Sequence, residues 1–184
     1  MVDATSATPA IHASLPKGHA SPDYAETERL KTELAKARQT RRPFYLTVDE
    51  FEEVLRWKLR QQIGRQRDLR AANTEELIRA VTGLALTITH SDSEYELELR
   101  VGILRSLRGV AVPVASAVLA LAFPEKYAVI DFRGWRQIFD EKRTTFTIPD
   151  YKRYLAAIQR LANELSWPPQ EVDLAIWEYD RKGG

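Results

Sequence analysis

Residues 110–123 read VAVPVASAVLALAF, with Ser116 as the one polar side chain and no charge at all. A helix without a polar face must be buried on every side. The run is too short to span a bilayer, so other helices have to surround it. Ala115, Ser116, Ala117, Ala120 and Ala122 are small enough to let those neighbours approach closely. Pro113 suits the first turn of such a helix, where its missing N–H costs nothing. The segment then passes through Pro124 and a short extended stretch, YAVI (127–130), and ends on a lone carboxylate, Asp131.

The rest of the chain supplies the surround. Residues 22–38 form a polar helix whose thin apolar face (Leu30, Leu34) predicts a peripheral or frayed element. Thr47 and Glu50 have the capping-box spacing, and Gly64 is a stop signal, so residues 48–63 form a second helix. At 100° per residue its apolar arc holds Phe51, Val54, Leu55 and Leu59; Lys58 falls inside that arc and Trp57 just outside. Asn73 and Glu76 repeat the capping spacing for a helix over 74–89, with Leu77, Ile78, Val81, Leu84, Ala85 and Ile88 on one face. YELELRV alternates like a strand, but Ser91 with Glu94 starts a helix that runs into Gly109. Helices follow at RGWRQIF, at DYKRYLAAIQRLANEL and after Pro168. The expected fold is all-α, a multi-helix bundle of seven or eight helices. Residues 1–21 are expected to be a disordered tail and 22–184 a single helical domain.

Composition excludes several chemistries. There is no cysteine, hence no disulfide, Fe–S cluster or thiolate nucleophile, and the three histidines have no zinc-ligand spacing. The N-terminus lacks a signal-peptide pattern, which with the missing cysteines gives a cytoplasmic expectation with no membrane partner. Net charge is +1, but Arg29–Arg70 holds twelve Lys or Arg against six Asp or Glu. That excess predicts a basic stripe for nucleic acid, or equally a face laced with ion pairs.

Helix, LRGVAVP, helix describes a helix-hairpin-helix. Backbone N–H groups at the turn and helix start can hold a phosphate, and Arg105 and Arg108 add charge. With the apolar helix, the extended YAVI and Asp131 opening a helix, residues 99–139 resemble the helix-hairpin-helix DNA glycosylase superfamily, which includes the endonuclease III-like enzymes. The resemblance extends faintly over residues 48–89. It implies a DNA-glycosylase-like fold and a role in base excision repair. Leu107 to Pro113 would be the hairpin, binding DNA backbone through Gly109, Val110 and Ala111, with a monovalent cation on its carbonyls as the one cofactor the resemblance allows. Asp131 would face the deoxyribose of a flipped nucleotide. The sequence departs from the superfamily pattern at FRGW after Asp131, which is not the usual continuation, and in three further places. Ala111 replaces a second hairpin glycine, Pro113 stands where bifunctional members have a Schiff-base lysine, and the four-cysteine cluster is missing. The implied activity is therefore that of a monofunctional N-glycosylase, a hydrolase acting on duplex or single-stranded DNA. The alternatives are an inactive nucleic-acid-binding module or a protein-interaction domain on the same scaffold.

Each candidate has a plainer reading. Asp131 stabilises a sugar cation or positions water, or only caps a helix. Lys58 enters the cleft beside Asp131 or a phosphate as a second catalytic residue, or snorkels to water. Trp57 and Trp135 stack on an extruded base, or merely pack. Arg133 contacts a phosphate, or pairs with Glu125 or Asp140. Gln61 and Gln62 fill the gap left by a flipped base, or are ordinary surface residues.

Overall fold

A computed structural model describes residues 22–65 and 67–183; the expected tail, residues 1–21, lies outside them. The helices are α1 (Pro22–Thr40), α2 (Val48–Leu59), α3 (Arg67–Arg70), α4 (Glu75–Thr87), α5 (Ser93–Leu104), α6 (Val112–Ala122), α7 (Phe132–Phe139), α8 (Ile148–Leu165) and α9 (Pro169–Arg181). A 3₁₀ turn, Arg60–Gln62, follows α2. The fold is all-α, with no strand among the described residues.

Helix α6 is the hub. Every residue in it except Pro113 is buried, and α1, α2, α5 and α8 pack on it. Val118, Leu119 and Leu121 have no exposed surface, and burying each contributes about 1.5–3 kcal/mol. Helix α1 is neither peripheral nor frayed. Its narrow stripe of Leu30, Leu34 and Ala37 lies against α6, and Thr27 is buried where it accepts the Trp57 indole N–H at 3.0 Å. A thin apolar face is enough when the partner is a helix of small residues.

Other boundaries differ from expectation for local reasons. Helix α2 stops at Leu59 rather than at Gly64, because Arg60 takes φ 49° and ψ −122°. Thr74, not Asn73, caps α4, and Asp92, not Ser91, caps α5. Leu77 and Leu84 are exposed; the inner face of α4 is Ile78, Thr82, Ala85 and Leu86. The four-residue α3 brings the number of helices in the described residues to nine.

A buried ionic knot ties α4 and α5 to the chain leaving α6. Glu96 accepts from Arg100 Nε (3.0 Å), Lys126 Nζ (2.6 Å) and the His90 backbone N–H (3.0 Å). Arg100 also donates to the Ala85 and Ile88 carbonyls, satisfying the end of α4. Burial alone would raise the Glu96 carboxyl, but the Lys126 and His90 hydrogen bonds and the adjacent cations outweigh it and hold it at about 2. Its stabilising contribution is therefore complete above about 4.5 and lost as pH falls toward about 2. Glu96→Gln is expected to cost on the order of 3 kcal/mol at neutral pH, because it strands the buried Arg100 charge. The melting-temperature gap to the parent should narrow as pH falls between those limits. A gap that does not vary with pH would refute this account.

Candidate functional site

The extended segment after α6, Tyr127 to Ile130, is buried without a neighbouring strand. Buried backbone polar groups need partners, and here side chains provide them. Tyr151 OH donates to the Ala128 carbonyl (2.8 Å), Val129 N–H donates to Asp173 Oδ2 (3.1 Å) and Ile130 N–H donates to Ser116 Oγ (3.1 Å). The Lys58 ammonium donates to the Ile130 carbonyl at 3.4 Å. Four helices, α2, α6, α8 and α9, thus hold four polar groups of the backbone that delivers Asp131.

Asp131 caps α7, its Oδ1 accepting from Arg133 N (3.0 Å) and Gly134 N (2.9 Å). Its Oδ2 lies 3.6 Å from Lys58 Nζ, and both side chains are largely buried. The structure therefore brings Lys58 and Asp131 together, with the lysine stem packed and its ammonium turned inward. Capping and cleft exposure coexist in Asp131 because each uses a different oxygen.

Behind this pair sits Asp173 of α9, 6% exposed. Besides Val129 N–H it accepts from Tyr154 OH at 2.5 Å. Burial raises its carboxyl, the neighbouring Asp131 charge raises it further, and the Tyr154 bond and Lys58 offset only part, leaving it at about 7. Gly134 is needed for this packing, since a Cβ there would lie 2.2 Å from the Tyr154 hydroxyl oxygen.

Lys58, Asp131 and Asp173 line a cleft with Gln170, Trp177 and Arg60. Its cavity volume is about 40 Å³, room for a few waters. Arg60 stands at its rim with a backbone conformation that is strained for a side-chain-bearing residue. The Arg60 guanidinium bonds Asp23 (2.7 Å) and lies 4.8 Å from the centre of the Trp177 ring.

The turn between α5 and α6 lies at the N-terminal end of α6. Gly109 takes φ 79°, which only glycine adopts without strain, whereas Ala111 is extended (φ −93°) and needs no glycine. Asn73 clamps the turn: its Oδ1 accepts from Arg108 N–H and its Nδ2 donates to the Arg108 carbonyl, both at 2.9 Å. That is the role of the residue expected to be a helix cap. Val110 N–H is spent on the Leu107 carbonyl (3.2 Å). The Leu107, Arg108 and Ala111 carbonyls each accept an internal N–H group. Arg105 and Arg108 are exposed and have no side-chain partner among the described residues.

Three sequence candidates lie elsewhere. Trp135 has no exposed surface, packs on Phe139 and Phe146 and donates to Glu141, so it is a core residue and not a cleft wall. Trp57 touches the cleft but is buried, with its indole N–H committed to Thr27. Arg133 pairs with neither Glu125 nor Asp140. It bonds Asp180 (2.7 Å), a buried carboxylate shared with Arg136 and Gln137. Half of the twelve cations of Arg29–Arg70 sit in ion pairs: Arg29, Lys31, Arg38, Arg41, Lys58 and Arg60. Gln61 and Gln62 are exposed on the 3₁₀ turn.

Sequence reasoning missed Asp173, Tyr154, Gln170 and Trp177. Gln170, Asp173, Leu174 and Trp177 have the 3–4 spacing of one helix face, so a buried carboxylate among apolar neighbours was the available signal. No group of three metal-ligand side chains is present among the described residues, and no helix there is long and apolar enough to cross a membrane. No protein-family model, curated protein or solved structure matches the chain.

Asp173 gives a pH signature of opposite sign to Glu96. Between its ordinary value of 3.8 and about 7 the folded protein holds a proton that the unfolded chain releases. Its contribution to stability therefore declines as pH rises through that window. Asp173→Asn should melt progressively higher relative to the parent as pH rises from 4 to 7, and the difference should level off above that. A flat difference in thermal scans would show that this carboxyl is not held neutral.

Proposed function

We propose that the protein is a DNA-binding helix-hairpin-helix protein acting as a monofunctional N-glycosylase, with Asp131 as its catalytic carboxylate. One observation carries this reading: the Ile130 N–H to Ser116 Oγ bond ties the Asp131 segment to the first turns of α6. Ser116 lies only about 6 Å along the helix from Val112. The carboxylate and the turn bearing Arg105 and Arg108 therefore belong to the same end of one buried, rigid helix. On this reading a nucleotide whose phosphate rests on that turn would present its sugar to Asp131.

The chemistry follows from the arrangement. The glycosidic C1′–N bond breaks with its electron pair leaving on the base, which takes up a proton. Water adds to C1′ and gives up a proton. Positive charge builds on the sugar between those events, and an anion aimed at it from a poorly hydrated wall stabilises it. Asp131 Oδ2, which is not used for capping and lies 3.6 Å from Lys58 Nζ, has a lone pair left to hold the water. Pro113 provides no amine, and Lys58 is engaged with Asp131, which fits base release without strand cleavage. Asp173, raised to about 7, carries only part of a negative charge beside Lys58 at neutral pH.

A second reading, an inactive nucleic-acid-binding module, is favoured by the cavity of about 40 Å³, which holds waters and not a base. Incubation with duplexes carrying different damaged bases, followed by alkali to reveal abasic sites, separates the two. Under the enzyme reading Asp131→Asn should lower base release at least about a hundredfold. Binding should change little, while stability should fall somewhat: Asn caps a helix about as well as Asp but leaves the largely buried Lys58 ammonium without its carboxylate. Release at the parent rate in that variant overturns the catalytic role. Replacing Arg105 and Arg108 with Ala should weaken binding to all sequences and reduce its salt dependence by about two phosphate contacts. Absence of association with any DNA at low salt removes the nucleic-acid reading altogether.

A further inference from the structure

Gln170 stands in the first turn of α9 with no exposed surface, and it lines the cleft that holds Asp131. Its Oε1 accepts from the Lys31 ammonium at 3.0 Å. Lysine has only N–H groups to give, so the atom facing it must be the amide oxygen, and the orientation of the amide is settled. That leaves Nε2, a buried donor with no acceptor among the described residues. A buried donor without a partner costs about 1–3 kcal/mol, so one beside a cleft points to an acceptor brought by a ligand.

The same face of α9 carries Trp177, whose ring is covered by the planar Arg60 guanidinium. Arg60 holds that position with a strained backbone. A flat ring of similar thickness can replace the guanidinium on the indole, and the room gained would let a base into a cleft now sized for water.

We infer that Gln170 is a specificity-determining residue, its Nε2 donating to a carbonyl oxygen at the edge of a planar heterocycle stacked on Trp177. This rests on the reading of the cleft as a base pocket. Lys31 acts through Gln170 as a positioning residue, fixing which end of the amide is left without a partner. Bases bearing a ring carbonyl are selected over rings of the same shape without one, because only they satisfy the stranded donor.

Two C-linked nucleotides test this without any cleavage, since neither has a glycosidic C1′–N bond. One oligonucleotide carries a central deoxypseudouridine, which presents ring carbonyls. The other carries a difluorotoluene deoxynucleotide of similar shape with no strong acceptor. The parent protein should bind the first about tenfold more tightly by fluorescence anisotropy, the factor expected for one hydrogen bond to an otherwise stranded donor. Gln170→Met should erase that preference and leave affinity for the difluorotoluene strand unchanged. Gln170→Glu should do the same with its Lys31 contact intact, which guards against misfolding of the first variant. Both variants should melt no lower than the parent, because each removes an unpaired buried donor. A preference that survives both substitutions overturns the role of Gln170. Equal binding of the two strands by the parent also overturns it, while leaving DNA binding in place. No association with either strand overturns the base-pocket reading and this inference together.

Discussion

The segment from Tyr127 to Ile130 runs extended through the core with no strand to pair with, and its backbone polar groups must still be satisfied. Ser116, Tyr151, Asp173 and Lys58, from four different helices, each take one of those groups. This requirement explains why polar side chains stand where the helices are otherwise apolar. It also converges them on the short stretch that ends at Asp131. The polar centre of the molecule is thus a product of making an irregular backbone tolerable inside a helical core.

That centre has an uneven charge distribution. Lys58 and Asp131 form a partly buried pair, while Asp173 beside them is pushed up to about 7. One carboxylate has two backbone N–H groups and an ammonium around it. The other has only a hydroxyl and one N–H in full burial. Burial beside another charge is how a site brings one carboxyl up toward neutral pH. Elsewhere charges are used structurally: Glu96 anchors α5 to the α6 exit, and Asp180 gathers Arg133, Arg136 and Gln137 between α7 and α9.

The first two turns of α6 carry two different loads. At its start, Gly109 and the Asn73 clamp hold a turn whose arginines face outward. One turn further in, Ser116 holds the segment bearing Asp131. The site is assembled from parts far apart in the chain, yet each is fixed to the same helix, and α6 cannot shift without unpacking α1, α2, α5 and α8.

From its pattern of residues alone, the chain determined an all-α fold built round the apolar run at 110–123, the capped start of α2 and Asp131 at the head of α7. Periodicity and capping are local, so they can be read without knowing what packs where. Local reasoning also put Lys58 on an apolar arc, which is half of the Lys58–Asp131 pair. Tertiary structure decided the rest. It made Asn73 a clamp on a turn 35 residues away, drew Trp135 into the core and brought the Gln170–Trp177 face of α9 against α2. It also spent half of the Arg29–Arg70 cations on ion pairs. A carboxylate's partner, a tryptophan's exposure and an arginine's freedom all depend on contacts between distant segments, and only the packed helices bring those segments together.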